Sequence, residues 1–436
     1  MRKQKIKDMK STIQPVKGTR DFYPAEMAIR NWLYAAVRRV SESFGYQEYE
    51  APLLEPIELY AAKSGEELVK EQSFVFPDRG GDLITLRPEL TPSLARMVAQ
   101  RQRQLIYPLR LWSWGPFWRY ERPQKGRGRE FFQWNIDLIG VDSPEADAEM
   151  VAIAATFFKE VGLTPNEVNI LVNNRMLVNA QFQALDIPVD QRQEVLRLID
   201  RRDKMAPDQW EANPFEIGLN QQQLEGLKAR LADQELWRQS PELERFFEVI
   251  QSLGVAEYVR FAPHIIRGLL YYTGTVFEAW DVAGEFRALF GGGRYDNLVS
   301  DVGGDPLPAV GFAMGDMVIT LILKKFGCLP EEIGRTPAPV LVTVFDHETL
   351  PAAFALATGL RQAGLCITAY PEAARLAKQL KFADRMGMRV AVVLGPDEIA
   401  SGQVNVKDLH SGAQQTVPQD EAANLIRQML DGGPSS

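Results

Sequence analysis

The residues with the most chemical potential lie between Phe117 and Gly140, in FWRYERPQKGRGREFFQWNIDLIG. Arg122, Lys125, Arg127 and Arg129 crowd one short stretch that also contains Gly126 and Gly128. A guanidinium is planar, permanently charged and bidentate, so such a group suits phosphate or carboxylate oxygens. Just beyond, Phe131, Gln133, Asn135 and Asp137 alternate with Phe132, Trp134, Ile136 and Leu138. That period predicts a strand with one face in a core and the other along something polar. FWRYE reads as its partner, which makes the segment an antiparallel hairpin with a cationic tip. A solvated surface hairpin would carry a similar charge run. The amide and carboxylate sharing one face beside the arginines favour a site for an anionic ligand.

Three other stretches carry candidate groups. IIRGLLYYTGTVFEAW, residues 265–280, holds Arg267, Tyr271 and Tyr272, with Gly268 and Gly274 permitting close backbone approach. Tyrosine pairs in strands are commonly packing residues, so this stretch does not speak for itself. FGGGRYD, residues 290–296, sets three glycines beside Arg294, a pattern suited to backbone pressed against a planar or phosphorylated ligand. Glu89 stands at a strand-to-helix junction after LITLRP, where it either helps cap the helix or points into the same pocket as the hairpin.

The elements that must position these groups can be read in outline. Residues 1–16 look like a loose tail. KGTRD leads into a helix from near Pro24, with Ile29, Trp32, Leu33, Ala36, Val37, Val40 and Phe44 at helical spacing and Gly45 ending it. YQEYEAPLLEP is a proline-interrupted strand of the kind that can pair subunits at an edge. Strands are expected at 83–88 and in EVNILVNN, and helices after Thr91 and over 144–161. From about Arg175 to Leu253 the texture is helical and rich in Gln, Arg and Glu, which reads as an inserted subdomain. AVGFAMGDMVITLILKKF, residues 309–326, predicts a short strand, a glycine turn and a buried helix. After a linker at 330–338, strands at 340–345, 365–370 and 389–395 alternate with helices near 350–363, 373–386 and 419–430. That order describes a small α/β domain.

At 436 residues, 45% hydrophobic and 24% charged, the chain has the length and composition of a soluble protein of two or three domains. A net charge of -8 leaves no global nucleic-acid footprint, so any RNA or DNA contact must use local basic patches. Cys328 and Cys366 stand too far apart for a zinc pattern or a disulfide framework, and His264, His347 and His410 form no metal-ligand set. The basic N-terminus lacks the apolar run of a signal peptide, and no stretch approaches a membrane span. A cytoplasmic location is expected. The C-terminal domain lacks GxGxxG and GxxxxGK[ST] signatures, so nucleotide chemistry is not expected there.

Taken in order, these stretches resemble the histidyl-tRNA synthetases, a family of class II aminoacyl-tRNA synthetases. KGTRDFYP with the following helix and strand resembles motif 1, the homodimer element, and RYERPQKGRGREFFQ resembles motif 2. RGLLYYTGTVFE and GGGRYDNLV resemble the two signatures peculiar to that family, and RPELTP its amino-acid loop. KQLKFADRMG with VKDL resembles its anticodon-binding domain. The implied fold is α+β: an antiparallel-sheet catalytic domain over 17–174 and 254–329, a helical insertion over 175–253, and an anticodon-binding α/β domain over 338–436.

The resemblance implies a ligase that forms histidyl-adenylate from L-histidine and ATP, then transfers the histidyl group to tRNA(His). The partners would be those substrates and a second copy of the chain, with no DNA and no membrane. Arg119 and Arg267 would bridge the substrate carboxylate and the α-phosphate as the catalytic cations, stabilising an in-line transition state. Glu89, Leu90, Thr91, Gln133, Asp137, Tyr271 and Tyr272 would join them around histidine. Asp137 would accept from one ring N–H and Tyr272 would meet the other nitrogen. Phe131 would stack on adenine, with Gly292, Gly293 and Arg294 opposite and Arg127 and Arg129 toward the phosphates. Arg122 and Gln124 would meet the acceptor end of the tRNA, and Lys378 and Lys381 are candidate phosphate contacts or a solvated helix face. Mg2+ would bridge the ATP phosphates and keep most of its waters, so no dedicated metal ligand is expected.

Two departures stand out. Leu270 occupies a position where the family usually has Asp or Ala. Motif 3 commonly ends in Glu-Arg, with the arginine on the ATP phosphates, but here Met317 and Val318 stand at those places. The alternative is a catalytically inactive synthetase-like regulatory subunit of the ATP phosphoribosyltransferase of histidine biosynthesis. A different ATP-dependent ligase on the same fold is a third reading.

Overall fold

A computed structural model describes residues 13–61, 72–202, 210, 215, 217–266, 271–331 and 333–431. The chain divides into two compact units, one of residues up to Tyr23 with Ile29–Leu329, the other of Pro24–Ala28 with Pro330 onward.

The first unit is organised on a sheet of eight strands among the described residues, in the order β1-β5-β6-β11-β10-β9-β7-β8. These are β1 (Gln47–Glu48), β5 (Leu109–Trp118), β6 (Glu130–Ile139), β7 (Val168–Asn174), β8 (Val259–Phe261), β9 (Thr275–Asp281), β10 (Phe290–Arg294) and β11 (Ala309–Gly315). All central pairings are antiparallel; only β1 with β5 and β7 with β8 run parallel, at the two edges. A separate small sheet joins β2 (Leu54–Pro56), β4 (Leu83–Leu86) and β3 (Phe74–Pro77). The segment YQEYEAPLLEP therefore does not form one strand. It turns out of the large sheet after β1 and enters the small one at β2, because its prolines cannot supply ladder donors.

The alternation read from Phe131 to Leu138 is realised in β6. Trp134, Ile136 and Leu138 enter the main core with Met150, Ile153, Phe157 and Phe158 of one helix, α3 below, while Gln133, Asn135 and Asp137 line a cavity on the opposite face. Burying such large apolar side chains contributes roughly 1.5–3 kcal/mol each, which is why the register cannot slip by one residue. The partner strand differs from expectation. FWRYE is not a strand of its own; β5 spans LRLWSWGPFW and ends at Trp118, paired from Leu109↔Ile139 to Trp118↔Glu130. Its buried Trp112 and Phe117 draw it into the core ahead of the charged residues.

Four helices position the site. α1 (Pro24–Ser43) buries Leu33, Ala36, Val37 and Val40. α2 (Thr91–Arg101) starts at the strand-to-helix junction beside Glu89. α3 (Pro144–Glu160) is capped by the Ser143 side chain, which accepts from Ala146 N. α4 (Asp316–Phe326) follows β11 and ends at Gly327 in the left-handed region, φ 69°. The helical region divides in two. Helices Arg175–Ala184, Arg192–Asp200 and Gln221–Ala232 share their own core through Phe182, Val195, Leu198, Leu224 and Leu227. Pro241–Ser252 instead sends Leu243, Phe246 and Ile250 into the main core, where it packs on α3.

The second unit is a five-stranded sheet among the described residues, in the order β13-β12-β14-β15-β16. β12 (Val340–Val342) pairs parallel with β13 (Ile367–Ala369) and β14 (Val390–Val393), as the alternating order predicts. β15 (Gln403–Asp408) and β16 (Gln414–Pro418) then add an antiparallel edge that the sequence reading leaves out. QVNVKD and QQTVP hide because only one side of β15 is buried and β16 is almost wholly solvated.

Candidate active site

The cavity, of about 590 Å³, has β6, β11 and β10 as its floor. β6 supplies Gln133, Asn135 and Asp137, and β11 supplies Gly311, Phe312 and Ala313. Gly291 and Tyr295 come from the β10 stretch, Tyr271 and Tyr272 from the loop before β9, Glu89 and Thr91 from the start of α2, and Arg119 from just past β5. Seven side chains singled out from the sequence, Glu89, Thr91, Arg119, Gln133, Asp137, Tyr271 and Tyr272, are thus brought to one wall or another of a single cavity.

Asp137 is its most perturbed group. Its carboxyl is buried, and that burial pushes its pKa up to about 7, although the hydrogen bond from Tyr295 pulls the other way. Tyr295 Oη donates to Asp137 Oδ1 at 2.5 Å, and its own ionisation is driven well above the usual tyrosine range by burial and by that carboxylate. The side chain fits only because its cross-strand partner is Gly311. A methyl group there would lie 2.2 Å from Asp137 Oδ1. Gly293, paired with Gly311 across β10 and β11, makes room in the same way for the ring of Tyr272, 2.9 Å from where its Cβ would be.

Arg119 is steadied by donating from Nε to the Pro88 carbonyl at 3.0 Å, and its guanidinium lies 5.5 Å from the Phe131 ring centroid. Glu89, buried, shares that cavity wall, one residue before Leu90, the N-cap position of α2. Tyr271 and Tyr272 stand with ring centroids 4.8 Å apart. Asn135 is buried with its Nδ2 unpaired among the described residues, an orphan donor beside a polar cavity. Cation, carboxylates, amide donors and phenols around one space suit a zwitterionic ligand with a polar side chain.

Other expectations need correction. Arg294 does not face the cavity. Its buried guanidinium donates to Asp147 Oδ1 at 2.6 Å and to the carbonyls of Val141 and Ser143, tying β10 to the start of α3. Period two explains the miss: Gly291, Gly293 and Tyr295 share one face of β10, which sends Arg294 to the other. The same spacing was the available signal for Tyr295. Gly292 turns into the core, where a Cβ would meet Phe277 and Phe312. Gly292 and Gly293 are therefore packing glycines, and it is Gly291 that borders the cavity. Leu90 is buried against Ala51 and Phe117 rather than exposed to ligand.

At the hairpin, Phe131 stacks on Phe117 with centroids 6.0 Å apart. Arg127 pairs with Glu121, and Arg129 donates to the Glu121 carbonyl while its guanidinium lies over Tyr120. Arg122 and Gln124 are exposed near the tip. Arg267 and Leu270 lie outside the described residues. Val318 is buried in the core and Met317 half-buried, both beneath the hairpin loop. In the second unit, Lys378 pairs with Glu372 at 2.7 Å on an exposed helix face.

An antiparallel sheet with a charged hairpin and a polar cavity on one face, in a chain that also carries a separate α/β unit, has the architecture of a class II aminoacyl-tRNA synthetase. Residues 18–317 match the family model for histidyl-tRNA synthetase, and residues 339–429 match the model for an anticodon binding domain. The chain is 38% identical to the chloroplastic/mitochondrial histidine–tRNA ligase of Arabidopsis thaliana, over 93% of this chain and 85% of that one. It is 35% identical to the histidine–tRNA ligase of Opitutus terrae, over 96% of this chain and 98% of that one. It superposes on the crystal structure of histidyl-tRNA synthetase from Nostoc sp. PCC 7120 with a TM-score of 0.82 at 27% identity, covering 96% of this chain and all of that one. The chain belongs to the histidyl-tRNA synthetase family. The regulatory-subunit reading is not favoured, since these whole-length relatives carry the ligase name. Among the described residues no helix is long and apolar enough to cross a membrane.

Proposed function

We propose that the chain activates L-histidine with ATP and transfers the histidyl group to tRNA(His), and that the cavity around Asp137 and Arg119 holds the amino acid. The observation that carries this reading is the convergence of Arg119, Glu89, Gln133, Asp137 and Tyr272 on one cavity, from sequence positions far apart. Asp137 accepts a ring N–H of the substrate, while Tyr295 keeps its carboxyl oriented. Glu89, Thr91 and Gln133 receive the α-amino group. A site that hydrogen-bonds polar substrate atoms rejects apolar competitors by leaving its own groups unpaired.

Activation needs no general base, because the nucleophile is the substrate carboxylate. Its obstacle is repulsion between that carboxylate and the α-phosphate. Arg119, with Arg267 as second cation, offsets the repulsion and stabilises the charge that spreads in the in-line transition state. Magnesium counts here with ATP as substrate, shielding the phosphate oxygens. Phe131 stacks on the adenine. Arg122 and Gln124, exposed near the hairpin tip, meet the acceptor end of the tRNA, and the second unit reads splayed anticodon bases. The chain acts as a homodimer in the cytoplasm, with 17–174 and 254–329 as catalytic domain, 175–253 as insertion and 338–436 as anticodon domain.

Histidine-dependent ATP–pyrophosphate exchange, followed by charging of tRNA(His), tests the reading. Strong exchange with charging is expected. Histidine binding with no exchange would overturn it in favour of a regulatory role.

A further inference from the structure

The segment Val16–Phe22 crosses the neck of the hairpin at a place where the sheet runs out of partners. β11 ends at Gly315, opposite Gln133, so among the described residues the outward amides of β6 before Gln133 have no strand to bond. The Gly18 carbonyl accepts from Glu130 N at 3.2 Å and also from Arg129 N at 2.8 Å. Phe132 N donates to Asp316 Oδ1 at 2.9 Å, and the other oxygen of that buried carboxylate accepts from Arg20 Nη2 at 2.8 Å. Arg20 N also approaches Glu130 Oε2 at 3.4 Å. Phe22 packs edge-on against Phe132, with the Arg30 guanidinium 4.3 Å from the Phe132 ring centroid. Only glycine fits at position 18: φ is +91°, and a Cβ would fall 2.7 Å from Arg129 Cγ.

Phe131 therefore sits between residues whose backbones are held by this segment or by its ion pair. The loop beyond is supported from the same helix start. A Cβ at Gly126 would come 3.3 Å from Val318, and one at Gly128 would come 3.3 Å from Met317 Sδ. Asp316, Met317 and Val318 thus form a platform: the first holds the strap and strand, the other two bear the loop glycines.

We propose that Val16–Phe22 is a strap that positions the ATP end of the site, with Arg20 and Asp316 as its latch. Neither residue borders the cavity, so both are positioning residues acting through Phe131 and the hairpin loop. The proposal rests on the synthetase reading above. Without Arg20, the Asp316 carboxylate loses its closest cation while remaining buried, a state that proteins avoid by protonation or by admitting water. Either response loosens the Phe132 amide, and the hairpin neck loses its register next to Phe131. Histidine, held on the cavity floor farther along β6, is spared.

Pyrophosphate exchange on the full chain tests this with Arg20→Gln, Asp316→Asn, the double variant and Arg20→Lys. Each of the first two should raise the KM for ATP about tenfold and move the KM for histidine less than about twofold, the split expected when only one substrate's binding geometry is lost. The double variant should be no worse than either single one, as for residues acting as one unit. Arg20→Lys should recover most of the loss, and amide exchange at Phe132 should quicken in Arg20→Gln. An unchanged ATP KM, additive losses, or equal rises in both KM values that track a fall in melting temperature would each overturn the latch. Absence of histidine-dependent exchange in the unaltered chain would instead count against the synthetase reading. If Arg20→Gln does not fold, Asp316→Asn decides the question: the same selective rise in ATP KM and a faster amide exchange at Phe132 are expected there, and an unchanged ATP KM would overturn the latch.

Discussion

Tyr295 and Asp137, 158 residues apart, meet through a 2.5 Å hydrogen bond at the floor of the cavity. One phenol thus fixes the orientation of the carboxylate that the proposed mechanism turns toward the substrate ring. Tyr295→Phe removes that bond while keeping the ring. The KM for histidine should rise on the order of tenfold, as for loss of a hydrogen bond to a charged group. The KM for ATP in the same exchange assay should stay constant.

A pH dependence follows from the burial of Asp137. Its pKa stands near 7, above the usual carboxylate range, so the ion that accepts an N–H is lost as pH falls through neutrality. Histidine KM should climb as pH drops from 8 to 6, by up to about tenfold per unit once the protonated form dominates. The substrate imidazole titrates in the same window, with an unperturbed pKa of about 6.5. Asp137→Asn separates the two contributions: its KM should be high throughout and carry only the substrate's own titration. A wild-type profile in that variant would place Asp137 outside the site.

Gly311→Ala tests the steric argument at the floor. The added methyl would meet both Asp137 Oδ1 and the Ile136 carbonyl, so the carboxylate must swing away from Tyr295. Histidine-dependent exchange should fall at least about a hundredfold if the misplaced group loses its substrate bond and strands its neighbours. ATP binding measured by calorimetry should persist.

Arg294 separates structure from catalysis. Its pair with Asp147 is buried on both sides, and burial also pushes the Asp147 carboxyl up to about 6 despite the arginine. Removing one partner leaves a buried charge and should cost about 3–5 kcal/mol of folding stability. Arg294→Met should therefore lower the melting temperature markedly. At a temperature where it remains folded, its KM for ATP should match the unaltered chain; a selective rise in that KM would return Arg294 to the nucleotide.

Arg119 makes the opposite case. It borders the cavity, and its bond to the neutral Pro88 carbonyl is not a buried ion pair, so Arg119→Ala should lower the melting temperature much less than Arg294→Met does. Its exchange kcat should drop about a hundredfold to a thousandfold, the scale seen when one charge-stabilising donor is removed from a transition state. Similar losses of stability and rate would mark it as structural instead.

What the sequence determined by itself was whatever repeats over a few residues. The period of two in β6 separated Gln133 and Asp137 from Trp134 and Ile136, because a strand's faces are set by local geometry. Helical spacing located α1 and α3, and the order of the short signatures pointed to the family. What only the tertiary structure decided was where long-range partners lie. By its own stretch Arg294 is a candidate for the ATP site; the fold instead pairs it with Asp147, 147 residues away. Arg20 lies in a stretch that reads as a subunit-pairing segment, and the fold brings Asp316, 296 residues away, to its guanidinium. A guanidinium suits a substrate phosphate and a buried carboxylate equally well, and nothing within its own stretch of chain says which anion folding will bring to it.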